Sequence, residues 1–426
     1  MIINALVIIF TILGISNILL YRNGIENSLQ WIIFAFVLGY RTFEPFPGLR
    51  LHPIELLVYA TIIRIIISGA IKYRKMSISI LILGIFFIVN FFIDLLTRYR
   101  SLVLNEFKNA FLLILVCFIT QHIHFNKDYL IRLFKRYSLV VSMISILGIT
   151  EYLFPSFMSS IFGFQSRPMN APESIFFNRL AFLFWGTHLA ANLIPPVFPI
   201  LLLLKAEKDF ITNNKYLLTL LVIINLIAIY LSGNRISWLI LTLLLLATII
   251  QYRGSLIPYM KTYTLFITIC FVAYIYSQPV EGRYISTFKA LTGDIDTRFD
   301  SSGGVRLARA KIAMASIASH PLGTGWGSQG WVHSDVLQIA ATIGIIPGFL
   351  FIFAPMLLLI KTYRYYLIAV PGQKTVFFTL CGLLIFMIIS LGLNGNILLV
   401  QCGAPLYLFW VIADSYLRSY NQLRTN

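Results

Sequence analysis

Apolar stretches long enough to cross about 30 Å of hydrocarbon recur along this chain near residues 2–20, 54–71, 77–96, 104–121, 134–154, 184–204, 215–231, 236–251, 262–277, 335–360, 375–393 and 396–415. Inside a bilayer core every backbone N–H and C=O must find its partner within the protein, so such runs become helices and their connections stay at the membrane surfaces. Counting the shorter candidate Leu29 to Tyr40, the pattern predicts about thirteen spans, or about twelve if that segment only dips into the interface. The expected fold class is all-α, a polytopic integral membrane protein. Composition agrees: with 58% hydrophobic and 12% charged residues, the size rules for soluble domains do not apply. No internal repeat and no low-complexity tract divides the chain, so residues 1–426 read as a single membrane domain. Met1 to Leu20 lacks a basic leader and a small-residue cleavage site and reads as the first span.

The formal net charge is +17. A nucleic-acid partner would need a basic solvent-exposed face, whereas these cations are scattered over short connections between apolar helices, so nucleic acid is excluded. They orient the chain instead. Alternate connections carry Lys72, Arg74 and Lys75, then Lys127, Arg132, Lys135 and Arg136, then Lys205, Lys208 and Lys215, then Arg253 and Lys261, then Lys361, Arg364 and Lys374. The positive-inside rule makes these cytoplasmic, together with the C-terminal tail from Arg418. The connections between them, including Pro155–Leu183 and the long Gln278–Val332 segment, then lie outside, where ATP and nucleotide sugars are absent. The four cysteines, Cys117, Cys270, Cys381 and Cys402, fall in or beside apolar runs without metal-pair spacing, so neither a disulfide framework nor a metal is expected, and no cofactor motif is present.

Against this apolar background the stretch Gly303 to Leu337 concentrates Arg306, Arg309, Lys311, His320, His333 and Asp335. Ionisable groups cost several kcal/mol at a bilayer centre, so they belong in a water-facing loop or a polar cavity, and a cationic cluster there suits an anionic substrate. Val305 to Ser319 mixes apolar Val305, Ile312, Ala315 and Ile317 with basic positions, the pattern of an interfacial amphipathic helix. His320-Pro321 then ends it, and Gly323, Gly325, Gly327 and Gly330 predict a tight, backbone-exposed loop.

Individual residues admit a structural and a chemical reading. Arg235, in LSGNRISW, sits on a tight outer turn where its planar fork suits phosphate oxygens, the alternative being a snorkelling anchor. Arg306 offers the same chemistry on the long loop, with surface solvation as the alternative, and Arg309 lies one helical turn further on. His333 stands at the mouth of the next helix with a side chain able to take a proton from a hydroxyl, or simply to cap that helix beside Ser334 and Asp335. Arg64, in LLVYATIIRIIIS, lies deep in an apolar run and is expected to pair with a carboxylate or to line the cavity, the pair being favoured. His188, in WGTHLAANL, could face the same cavity, but a lone histidine on an apolar helix reads first as structural.

The order of these features, a short SGNR turn opening an apolar helix, then GVRLARAKIAMASIASHPLGTGWG, then WVHSDVLQIAATIGIIPGFLF, resembles the O-antigen ligase and O-antigen polymerase superfamily over Leu231 to Phe351. The N-terminal half resembles it in hydropathy alone. The resemblance implies a GT-C-type, all-helical fold in the bacterial inner membrane, with the periplasmic loop of residues 278–333, between the helices near 262–277 and 335–360, carrying most of the site. It implies a metal-independent, inverting glycosyltransferase that moves a glycan from undecaprenyl pyrophosphate to an acceptor hydroxyl, either on lipid A-core or on another lipid-linked repeat unit. By position, Arg235 and Arg306, with Arg309 beside it, would hold the pyrophosphate. His333 would activate the acceptor, with Asp335 as a helper. Many ligases carry Asn after the histidine, where this chain has Ser334, which leaves ligase against polymerase open. From a different class, a transporter or flippase of an anionic lipid-linked glycan would use the same arginines as a binding ring. The clustering of charge at one face fits a one-sided site better.

Overall fold

The computed structural model describes residues 2–38, 43–46, 49–69, 77–97, 101–162, 192–209, 214–232, 237, 240–243, 301–328, 332, 334–393 and 400–425. The apolar runs appear as helices: α1 Ile2–Leu20, α2 Gly24–Ala35, α3 Pro53–Ile67, α4 Ile78–Thr97, α5 Ser101–Gln121, α6 Lys127–Leu153, α7 Pro155–Phe162, α8 Val197–Ala206 and α9 Lys215–Ser232. After them come α10 Ser301–Ser319, α11 Asp335–Ile343, α12 Ile345–Ile368, α13 Pro371–Leu393 and α14 Val400–Thr425. A two-stranded hairpin, β1 Phe43–Phe46 with β2 Leu49–Leu51, precedes α3. With 87% of it helical, the protein is all-α. The expected spans 236–251 and 262–277 fall outside the described residues or almost entirely so.

Among the described residues, four helices are long and apolar enough to cross a membrane: Ile78–Thr97, Val103–Gln121, Ile345–Ile368 and Pro371–Leu393. Their outward faces carry the side chains that lipid would cover. On α4 these include Leu81, Ile85, Val89, Phe92 and Leu96, and on α12 Phe349, Phe353, Met356, Leu357 and Ile360, all exposed. Because lipid tails are as apolar as these side chains, burial alone cannot hold the bundle, and polar contacts between helices add to the packing. Asn225 on α9 shows one: its amide donates to the Ser142 hydroxyl at 2.8 Å and accepts from Ser145 at 2.9 Å, joining α9 to α6.

Two sequence expectations change, and one left open is narrowed. The run 335–360 is not one helix. Gly344 has φ +113°, a conformation that breaks the hydrogen-bond ladder, and the run divides into the nine-residue α11 and the spanning α12. Leu29 to Tyr40 contributes only to α2 and a short 3-10 turn, Phe36–Leu38, too brief to cross by itself. Arg64 is not deep. The helix α3 stops at Ile67, so Arg64 lies half-buried in its last turn, where a cation complements the helix dipole, and among the described residues no carboxylate pairs with it.

Charged groups sort to the two ends of the bundle. Lys127 at the start of α6 pairs with Glu207 just past α8 at 2.7 Å and donates to the carbonyl of Gly372 in the first turn of α13 at 2.9 Å. Lys135 reaches Asp209 at 3.1 Å, and Tyr416 near the end of α14 donates to Gln373 at 2.6 Å. The described basic connections, those near Lys127, Lys208 and Lys374 and the tail beyond Tyr416, therefore share one end. At the opposite end stand the start of α3, the end of α4, the start of α5 and the loop between α10 and α11.

Candidate functional site

The loop from His320 to Ser328 follows from its glycines. Gly323, Gly325 and Gly327 have φ of +90°, +94° and +72°, a region that costs an L residue about 1–3 kcal/mol. Space demands glycine as well: a Cβ on Gly323 would lie 2.4 Å from the Thr342 carbonyl oxygen, and one on Gly325 2.4 Å from Asp94 Oδ1. This contour lets the loop run along the break between α11 and α12. Carbonyls at a helix end lack internal partners, and here Thr324 N–H donates to Ala341 O at 3.0 Å and Gly325 N–H to Thr342 O at 2.8 Å. Ile345 N–H, in the first turn of α12, donates in turn to Pro321 O at 2.9 Å.

Two carboxylates hold the loop from the other side. Asp94 accepts from Trp326 N–H and Glu106 from Gly327 N–H, each at 2.6 Å. The indole of Trp326 is buried edge-to-face against Phe87 of α4 and Phe107 of α5, with centroids 5.7 and 6.2 Å away. The same end of α5 supplies Lys108, whose Nζ lies 2.7 Å from the wholly buried Glu55. Glu55 also accepts from His52 N–H at 2.7 Å, while the His52 ring accepts from Ile54 N–H, a reciprocal cap that starts α3. These acidic residues were overlooked in the sequence, although an aspartate inside FFIDLL and a glutamate inside LNEFK were signals that intramembrane ionisable groups need partners.

Because Ile345 bonds to Pro321, the C-terminal ends of α10 and α11 meet. The small apolar cluster between them, Ala313 and Ile317 with Val332, Leu337 and Ala341, agrees with helices running in the same direction. Ile317 and Ala341 each stand two residues from their helix end, and Ala313 and Leu337 each six. Counting back about 1.5 Å per residue, Arg309 then lies about 3 Å beyond Asp335, past the start of α11, and Arg306 about one turn further on. Arg306 is half-buried and Arg309 exposed. Asp335, in that first turn, is 2% exposed.

Ser334 caps α11 by accepting from Leu337 N–H at 3.4 Å, so a cap built on His333 is not needed. The amphipathic helix expected over Val305 to Ser319 is α10, begun four residues earlier, and it ends as expected before His320-Pro321. Arg235, His333, His188 and Gly330 lie outside the described residues. Of the sequence-predicted site residues, the described ones are Arg306 and Arg309 on α10 and Asp335 at the start of the neighbouring α11. Among the described residues no cluster of three His, Cys, Asp or Glu side chains could hold a metal ion. No family model matches the chain, and no curated protein matches it significantly.

Proposed function

We propose that the chain is a glycosyltransferase of the bacterial inner membrane, working on its periplasmic face, that moves a glycan from undecaprenyl pyrophosphate to an acceptor hydroxyl. The reading adopts a GT-C-type arrangement with the C-terminus in the cytoplasm. The observation that supports it is the co-directional pairing of α10 with α11, with two arginines on the N-terminal half of α10 and a buried aspartate at the start of α11. That end suits a pyrophosphate beside a hydroxyl. Arg306 and Arg309, joined by Arg235 of the SGNR turn, would neutralise the charge that develops as the bond between the anomeric carbon and the phosphate oxygen breaks. The acceptor oxygen attacks that carbon from the opposite face, inverting it. Undecaprenyl pyrophosphate departs with the electron pair, and the hydroxyl proton passes to His333 as general base, with Asp335 orienting it. The acceptor is lipid A-core for a ligase, or a lipid-linked repeat unit for a polymerase.

The test uses purified protein in nanodiscs with lipid-linked donor and each acceptor in turn, scoring product and donor binding separately. Arg306→Ala and Arg235→Ala should each lower transfer about 10²- to 10³-fold, with Lys rescuing only in part because it loses the bidentate fork. His333→Ala should bind donor and transfer little. Movement of donor across sealed vesicles without any transfer would replace this reading by the transporter.

A further inference from the structure

The helix α11 presents Asp335, Gln338 and Thr342 at offsets of three and seven residues, which fall within about 60° of one another around the helix. All three are buried, at 2%, 3% and 1% exposure. Gln338 uses its carbonyl oxygen to accept from Val332 N–H at 3.0 Å. This orients the amide, and among the described residues its Nε2 has no hydrogen-bond partner. The Thr342 hydroxyl has none among them either. On α14 the hydroxyl of Tyr407, a residue 1% exposed, is also without one. Tyr407 lies within electrostatic reach of Asp335 in the first turn of α11.

Each buried polar atom left unpaired costs about 1–3 kcal/mol, whereas apolar side chains of the same shape would carry no such penalty. Three of them are therefore hard to explain as packing. Their chemistry narrows the ligand. An amide N–H₂ donates, and two hydroxyls both donate and accept. The Asp335 carboxylate beside them opposes a phosphate. A neutral, hydroxyl-rich molecule satisfies all of these groups at once, and the arginines of α10 are left to the anionic part of the donor.

We propose that the Gln338 and Thr342 face of α11, completed by Tyr407, binds the hydroxyl groups of the acceptor saccharide. This rests on the glycosyl-transfer reading and assigns it a subsite separate from the pyrophosphate position. The three atoms are shut off from solvent in the closed arrangement. Binding requires α11 to shift from its neighbours, and the break at Gly344 separates it from α12.

The experiment takes the full chain in nanodiscs and compares Gln338→Leu, Thr342→Val and Tyr407→Phe, singly and combined. The thermal unfolding midpoint should stay level or rise, since an unpaired polar atom is removed, and donor KM should not change. Acceptor KM should rise about 5- to 10-fold per substitution, the value of one hydrogen bond. An unaltered acceptor KM in all three single variants overturns the proposal, and so does a lowered midpoint with unaltered KM, which would mark these residues as structural. A second measurement separates this idea from the reaction itself. Lipid-free oligosaccharides released by mild acid from the producing cell's own lipopolysaccharide are titrated into unmodified and triple-variant protein. Binding lost in the variant keeps the subsite even if no transfer is ever observed, and no binding to unmodified protein removes it.

Discussion

Replacing Asp94 by alanine should free the loop that joins the arginine helix α10 to α11. Asp94 is 4% exposed, and one of its oxygens accepts from Trp326 N–H at 2.6 Å. Truncation removes a charge-assisted bond and leaves a buried amide unpaired, a loss of about 1.5–3 kcal/mol for a bond to a charged group. At about 1.4 kcal/mol per decade, local opening becomes about 10- to 150-fold more frequent. Hydrogen exchange of the peptide covering residues 321–328, measured in nanodiscs, reads this directly, because Trp326 and Gly327 amides exchange only when the loop lifts. Asp94→Asn keeps an acceptor without its charge and should fall between the two. The same geometry makes a second demand. A Cβ on Gly325 would sit 2.4 Å from Asp94 Oδ1, so Gly325→Ala should damage the unmodified protein more than it damages Asp94→Ala. What remains in the double variant should be the strain of φ +94°, about 1–3 kcal/mol. Unchanged exchange in Asp94→Ala, or strictly additive effects in the pair, would refute this account of the loop.

Gly323→Ala and Gly344→Ala should each destabilise by about 1–3 kcal/mol from positive φ alone, whereas Gly372→Ala, with open space around it, should be tolerated; detergent unfolding midpoints compare the three. Lys108→Ala strands the buried Glu55 and should cost about 3–5 kcal/mol, with Lys108→Met plus Glu55→Gln recovering much of it in the same assay. Topology is checked by single cysteines, in a background freed of the four native ones. A cysteine at Ser301 should react with an impermeant reagent in spheroplasts and one at Lys374 only after lysis, the reverse pattern overturning the assignment of sides.

Much of the candidate site was legible in the residues. His320-Pro321 marked where α10 ends, and alternate glycines marked the turn that follows, because proline and positive-φ glycine act on the local backbone whatever surrounds them. The split of the 335–360 run was harder to read. Gly344 is one glycine in a continuous apolar stretch, and only the strand-like pairing of Thr324 and Gly325 with Ala341 and Thr342 shows why the helix must stop there. Arg64 was misread for a related reason, since hydropathy continues past Ile67 while the helix does not.

The sequence by itself determined that this chain is an all-α membrane protein, where most of the described helices lie, and that its described basic connections belong together. These follow from hydropathy, charge and backbone propensity, properties that each residue carries into any context. Only the tertiary structure decided that Asp94 and Glu106, one from α4 and one from α5, grip adjacent amides of one distant loop. It alone decided that α10 and α11 run side by side, and that Gln338, Thr342 and Tyr407 hold unpaired polar atoms in the interior. Such facts depend on which groups meet across hundreds of residues, and a buried polar group declares itself unpaired only once its neighbours are known.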